Sequence, residues 1–501
     1  MGQAMDETKS KELKQTNRPL VLISVMLAMF MGAIEATIVS TAMPAIAADL
    51  GGFSLYSWVF SAYLLMNAVT VLIYGKLSDL FGRKPILIFG ITIFLIGSIL
   101  CGFAQSMTML IVFRLIQGFG AGAVMPIATT IVGDIYTKEE RAKIQGYLSS
   151  VWGISAIMGP AIGGLLVEYV SWHYVFWINI PLGIFSIIGI SKFLHENIEK
   201  KKPDIDYKGA ILLTISISSL MFVLVEGGTR WKWTSPESIG IFAAALAAFF
   251  LFVFQEKKAS DPMMPFSIWK KRSILIANLA SLTTGIMLIG ISSFLPAFVQ
   301  GVMESSPIVA GFTLTTMSIG WPIASSAAGY LLLKIGFKNT SIIGGTFLIL
   351  GSIMFASLSP EAGPVWAACA SFLVGVGMGL TSTSFIVSIQ STVSWEQRGI
   401  ATAANMFMRN LGNTVGAALL GGILNSRLLH YFRENAGEVS ENLTIDSTNS
   451  LLNESERNQL SEGVREILQG GLASSLHWVY YAVLLFAVIS FFLTVILPKE
   501  R

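Results

Sequence analysis

Long apolar runs separated by short polar links organise the whole chain. A membrane helix takes roughly 20 mostly apolar residues. Runs of that kind occur at 19–43, 55–77, 85–104, 108–132, 144–167, 174–194, 209–226, 238–255, 273–298, 307–332, 340–359, 364–389, 400–424 and 475–497. The pattern predicts an all-α polytopic membrane protein with fourteen spans. A count of twelve, with spans 7 and 8 as a re-entrant pair, is the alternative, and fourteen fits the hydropathy better. One long polar stretch stands apart at 426–474, where Asn, Ser and Glu mix with Leu451, Leu452, Leu460 and Ile467. It reads as a surface helix or a mobile cap. Asn442 and Asn453 in it begin glycosylation-type triplets, a short pattern that arises mostly by chance.

The charged links give an independent check, because cytoplasmic loops are enriched in Lys and Arg. With the N-terminus inside, the inner links hold Lys76, Arg83 and Lys84, then Lys138, Arg141 and Lys143, then Lys200, Lys201, Lys202 and Lys208. Lys257, Lys258, Lys270, Lys271 and Arg272 follow, then Lys334, Lys338 and Arg398. The outer links hold only Arg230 and Lys232, plus four arginines in 426–474. This alternation requires an even number of spans and predicts that both termini are cytoplasmic. The polar start, Met1 to Arg18, is not expected to be a cleavable signal, since the apolar run after it is too long for one.

Composition narrows the function. Hydrophobic residues make up 53% of the chain and charged residues 13%, against about 25% charged in a soluble domain. Lipid must therefore cover much of the surface. The net charge of +3 adds nothing. Cys101 and Cys369 both lie in apolar runs, which argues against a disulfide framework and a cysteine metal site. His173 and His477 sit near run ends, where interfacial positions are ordinary. No nucleophile, metal or phosphate-binding constellation suggests an enzyme, and no P-loop suggests ATP drive. A channel or a membrane sensor is the rival class, but neither a ring of repeated charges nor a filter loop supports a channel.

The chain repeats itself. Gly118, Gly120 and Gly122 recur as Gly375, Gly377 and Gly379, Arg141 as Arg398, and Gly159 and Gly164 as Gly416 and Gly421, each pair 257 residues apart. Gly75 and Gly82 recur as Gly329 and Gly336, 254 apart. Parallel six-span repeats mark one large transporter class. The repeat predicts two six-helix bundles plus two inserted helices. The divisions are a cytoplasmic tail at 1–18, a first bundle at 19–196, the inserted pair with its flanking cytoplasmic loops at 197–272, and a second bundle at 273–501 that includes the outer segment 426–474.

Charges within spans carry the candidate chemistry. Glu35 has no charged neighbour from Leu20 to Ile34 or from Ala36 to Ala48. A charge at the membrane centre costs roughly 2.5–3.5 kcal/mol even on the lenient insertion scale. The carboxyl can avoid that cost by binding a proton, and a group that alternates between the two forms suits proton coupling. A carboxyl satisfied by a neighbouring helix is the competing reading. Arg114 keeps its proton and shares a helix face with Gln117 and Gly118. Arg409 poses the same question in span 13, where the first half has Trp152. Glu35, Trp58, Tyr63 and Arg409 are candidate substrate-binding residues, and Phe60, Met66 and Trp321 offer further aromatic or thioether surface.

Several stretches resemble one family closely. Gly75-Lys-Leu-Ser-Asp79-Leu-Phe-Gly82-Arg83-Lys84 resembles the hallmark inner loop of the major facilitator superfamily. Leu110, Arg114, Gln117, Gly118 and Gly120 match its second motif. Gly146 followed by Gly159-Pro160-x-x-Gly163-Gly164 is similar to its drug/proton antiporter motif, with Ser155 where glycine is usual. Glu35-Ala-Thr37 through Pro44 resembles the 14-span branch, with Glu in place of Asp, and Trp172 through Gly183 resembles it too. The resemblance implies the major facilitator fold and proton-coupled export of amphipathic, often cationic drugs by alternating access. It implies proton coupling at Glu35 and Arg114, and a cytoplasmic latch at Gly75, Asp79, Gly82 and Arg83. It also implies a leak-tight seam at Gly159, Pro160, Gly163 and Gly164.

Leu333 replaces Asp79 in the second copy, so the latch is expected on one side only. Span 13 has no acid, so neutral or zwitterionic cargo is as well supported as cationic cargo. A dedicated exporter of one metabolite, lipid or peptide is the near alternative. No cofactor is expected, the proton gradient being the energy source. The expected partners are a small-molecule substrate, protons and the lipid bilayer, with no nucleic acid. The protein is expected to act as a monomer in a bacterial cell membrane.

Overall fold

The computed structural model describes residues 16–136, 138–196, 206–228, 230–259, 266–393, 398–435 and 443–498. Helices account for nearly all of this. In the first half they are α1 (Arg18–Leu50), α2 (Tyr56–Phe81), α3 (Arg83–Gly102), α4 (Met107–Ile135), α5 (Lys138–Tyr169), α6 (His173–Trp177) and α7 (Asn179–Phe193). Next come α8 (Tyr207–Glu226) and α9 (Pro236–Lys258). The second half has α10 (Arg272–Ala297), α11 (Pro307–Ala356), α12 (Gly363–Thr392), α13 (Arg398–Glu434), α14 (Asn449–Leu452), α15 (Glu454–Arg457) and α16 (Glu462–Val495).

Local sequence explains where the long helices begin. Asn17, Ser106, Ser235 and Ser306 each accept a hydrogen bond from a backbone N–H in the first turn of α1, α4, α9 and α11. These bonds satisfy donors that a helix start leaves unpaired. Proline stands in the first turn of α1, α9 and α11, where its missing N–H costs nothing.

Twelve helices among the described residues are long and apolar enough to cross a membrane. Every predicted run lies on a helix, yet two runs do not appear as separate crossings. Spans 10 and 11 share α11, which Gly336 breaks at φ 80°, ψ 170°. The run at 400–424 lies on α13, which is not among the twelve, since Asn405, Arg409, Asn410 and Asn413 make it polar.

The polar segment at 426–474 also departs from its expectation. α13 continues to Glu434 and α16 begins at Glu462. Leu428, Phe432, Leu468 and Leu472 are buried, so each helix carries its apolar stripe past the fully apolar run. A hydropathy average misses such a stripe because the opposite face is polar. Between these helices, a 3₁₀ turn (Ile445–Thr448), α14 and α15 form a folded cap with Leu451 buried beneath it. Asn453 caps α15 by accepting from the Ser455 N–H, while Asn442 lies outside the described residues.

Within each half, repeated glycines make repeated contacts. Gly118 lies against the Tyr63 carbonyl as Gly375 lies against that of Met317. Gly120 meets Gly90 and Phe94 as Gly377 meets Gly344 and Leu348. The repeated turn is also shared: Gly82 (φ 96°, ψ 154°) and Gly336 take backbone conformations open essentially to glycine alone. Gly82→Ala is expected to cost about 1–3 kcal/mol, read as a lower midpoint of thermal unfolding in detergent.

The halves meet along two helix pairs, α5 with α11 and α2 with α13, and α1 also touches α10. α8 packs against α2 and α13, and α9 lies outside it with Phe249, Phe250 and Phe254 exposed.

Candidate functional site

Glu35 and Arg114 form a buried ion pair between α1 and α4. Neither is accessible, at 0% and 2% exposure, so each charge depends wholly on its protein partners. The second Glu35 oxygen accepts from Asn179 Nδ2 at 2.6 Å. Arg114 Nη1 also donates to Gln117 Oε1 at 2.7 Å, and its Nε donates to the Val59 carbonyl at 3.3 Å. Gln117 Nε2 donates to Ser98 Oγ at 2.8 Å. The Arg114 guanidinium lies 4.1 Å from the centre of the Tyr63 ring, a cation–π contact.

Five helices thus converge on one carboxylate–guanidinium pair: α1, α2, α3, α4 and α7. Buried ion pairs persist only where the remaining lone pairs and protons are also satisfied, and these neighbours do that. The arrangement holds one negative charge deep in an apolar body, beside a cation that stays charged. It can store or release one proton if the helices move the pair apart.

Sequence reasoning brought Glu35, Arg114, Gln117 and Tyr63 forward, and the fold unites them. It assigned no role to Asn179 or Ser98. Both are polar residues inside apolar runs, which was the available signal. Trp58 does not join the cluster; its Nε1 donates to Glu226 on α8 at 3.0 Å. Arg409 does not join it either.

The predicted inner loop is the α2–α3 turn. Arg83 bonds within its own half, to Asp134 at 3.2 Å and to the Ser78 carbonyl at 2.8 Å. Glu196 accepts from the backbone N–H groups of Arg83 and Lys84, capping α3. The Asp79 side chain lies outside the described residues, as do those of Arg141 and Arg398. Leu333, at the position matching Asp79, is 90% exposed. Gly75 approaches no neighbouring element closely.

The Gly159–Gly164 stretch forms part of the seam. Gly159 and Gly163 pack on Thr37 and Ile38 of α1. Gly164 packs on Pro307 and Ile308 of α11, and Gly311 packs on the Pro160 carbonyl. In the matching second-half positions, Gly416 packs on Ile286 of α10 and Gly421 on Ser57 of α2.

Hydrogen bonds across the seam cluster toward one end. Tyr56 Oη donates to the Ser293 carbonyl at 3.0 Å, Gln300 to that of Thr41 at 3.3 Å, and Asn425 to that of Ser54 at 2.6 Å. The Ser54 N–H donates to Asp446 of the cap at 2.9 Å. Three of the four lie near the α1–α2 turn, and the Thr41 bond lies deeper along α1. Thr414 to the Leu64 carbonyl, 3.3 Å, is nearer the middle. Toward the α2–α3 turn, no such bond joins the two halves among the described residues.

A helical body with many apolar helices and a buried ion pair at its heart fits the class of membrane transporters. The profile of the Major Facilitator Superfamily matches residues 25–417, and the chain belongs to that family. It is 34% identical over 503 residues to "Multidrug resistance protein 3" of Bacillus subtilis (strain 168), covering 99% of this chain and 98% of that protein. It is 33% identical over 514 residues to "Multidrug transporter protein MdtP" of the same strain, covering 98% and 95%. Among solved structures, a bacterial homologue of the human lysosomal transporter Spinster, inward-facing and occupied, shares the fold. The TM-score is 0.65 at 15% identity, over 95% of this chain and 96% of that one.

Proposed function

We propose that this transporter exports amphipathic compounds from the cell in exchange for protons. The observation that carries this reading is the Glu35–Arg114 pair, an ionisable couple enclosed by five helices. Membrane-buried ionisable residues are functional sites by default. The multidrug names of the two Bacillus relatives support the substrate class.

In this reading the chain crosses the membrane fourteen times. The twelve apolar helices supply eleven single crossings, α11 supplies two across the Gly336 break, and α13 supplies one. α1–α7 and α10–α16 are then the two six-span bundles, with α8 and α9 inserted between them and both termini in the cytoplasm. The hydrogen-bonded seam near the α1–α2 turn lies on the outer side. In this reading the conformation is inward-facing, the state in which cargo enters. The inner loop at Gly75, Asp79, Gly82 and Arg83 would engage the other bundle only after closure on that side.

Inverted membrane vesicles provide the test. With an imposed proton gradient, compounds from an amphipathic panel are expected to trigger proton release in vesicles holding the protein and not in empty ones. Cargo movement without proton release would remove the coupling; neither signal from any compound would remove the export reading.

A further inference from the structure

Three charged residues lie in span interiors away from the ends: Glu35, Arg114 and Arg409. The first two neutralise each other. Arg409 therefore leaves the interior with one uncompensated positive charge. Its side chain makes no hydrogen bond or ion pair among the described residues. It is enclosed by the helical body yet remains partly accessible. A guanidinium that stays charged needs a polar partner in a membrane interior, and among the described residues none bonds to it.

Its surroundings are organised. Asn405, one turn before it, is buried and donates to Asn278 Oδ1 at 3.0 Å and Ser281 Oγ at 2.8 Å on α10. Asn413, one turn after it, has a buried amide oxygen without a donor among the described residues. Residues four apart share a helix face, so Asn405, Arg409 and Asn413 form one polar stripe. Arg409 thus offers a free donor fork, and Asn413 a free acceptor beside it.

The depth is also fixed. Thr414 bonds to the Leu64 carbonyl, and Gly118 lies on the adjoining Tyr63 carbonyl, which puts 414 and 118 at one level. Arg409 is five residues from that level and Arg114 four residues on the opposite side. At 1.5 Å per residue they stand about 13 Å apart along the bundle. Arg409 lies on the side where no described hydrogen bond closes the seam.

We propose that Arg409, with Asn413, forms a subsite for the carboxylate of an amphipathic acid that also carries an N–H group. The guanidinium fork would take the carboxylate through paired charge-assisted hydrogen bonds, and the Asn413 oxygen would accept the N–H. This rests on the export reading above, in which cargo enters from the open side. It narrows that reading from amphipathic compounds in general to acids and zwitterions.

Equilibrium binding to the purified full chain, with no gradient, tests it. The probes are dansyl-phenylalanine and dansyl-leucine, which carry a sulfonamide N–H beside the carboxylate, each against its own methyl ester. The native protein is expected to bind at least one acid about tenfold or more tightly than its ester. In Arg409→Gln and Arg409→Met that ratio is expected to fall to near one, and in Arg409→Lys to an intermediate value, since lysine lacks the planar fork. No acid preference in any native pair overturns the proposal, as does a preference that survives Arg409→Gln or Arg409→Met. Failure of both neutral variants to fold would show a structural partner for Arg409 and overturn it as well. A lipid phosphate shares this chemistry. Loss of co-purifying anionic lipid in Arg409→Gln, without acid preference in the native protein, would give the site to lipid and not to cargo. Proton coupling does not enter this measurement, so a negative vesicle assay beside a clear acid preference would sink the coupling alone.

Discussion

Glu35→Gln is expected to yield a folded protein that no longer moves cargo uphill. The amide keeps an oxygen that can accept from Asn179 or Arg114, and Arg114 keeps Gln117, the Val59 carbonyl and the Tyr63 ring. The variant loses the only acid in the cluster, and with it the proposed proton carrier. A proton moving through 100 mV releases about 2.3 kcal/mol, which supports a cargo gradient of roughly 45-fold for one-to-one exchange. That gradient is expected to fall to about one, while facilitated movement down a gradient persists. Cargo concentration ratios across inverted vesicles, with and without an uncoupler, measure it. A variant that still concentrates cargo would assign coupling to another group.

The second large effect concerns the pair as a unit. Arg114→Met removes the cation and leaves the buried carboxylate without its counter-charge, held by the Asn179 hydrogen bond. Breaking a buried pair from one side costs about 3–5 kcal/mol. The double variant Glu35→Gln/Arg114→Met removes both charges and is expected to recover much of that loss. Residues in contact commonly show non-additivity of about 0.5–3 kcal/mol, and this pair belongs at the upper end. Thermal unfolding of the four proteins in one detergent closes the cycle. Strict additivity would mean that the two side chains do not stabilise each other in the folded protein.

Much of this was visible in the order of residues. The fourteen apolar runs all lie on helices, because a segment with no polar side chains must satisfy its backbone internally in lipid. Glu35 and Arg114 stood out because a charge within an apolar run demands a reason. What could not be read was which groups meet. Asn179 lies 144 residues from Glu35, and only the crossing of α1 with α7 brings them together. α13 was legible as a run and yet too polar to rank among the apolar helices. Its asparagines serve the α10 contact and the Arg409 stripe, so a scale that rewards contact with lipid undervalues it. The end of α13 was placed too early and the start of α16 too late, since Leu428 and Leu472 continue a stripe that a window average dilutes.

The seam carries a further lesson about change over generations. Tyr56, Gln300, Thr414 and Asn425 all reach across to main-chain carbonyls, not to side chains. Every residue type supplies a carbonyl, so the accepting positions, Ser293, Thr41, Leu64 and Ser54, can mutate without losing these bonds. Among the described seam bonds, the constraint falls on these four donors and on Asp446, whose carboxylate accepts from the Ser54 N–H. Under the export reading, cargo preference can therefore drift through neighbouring positions while these seam bonds are inherited intact.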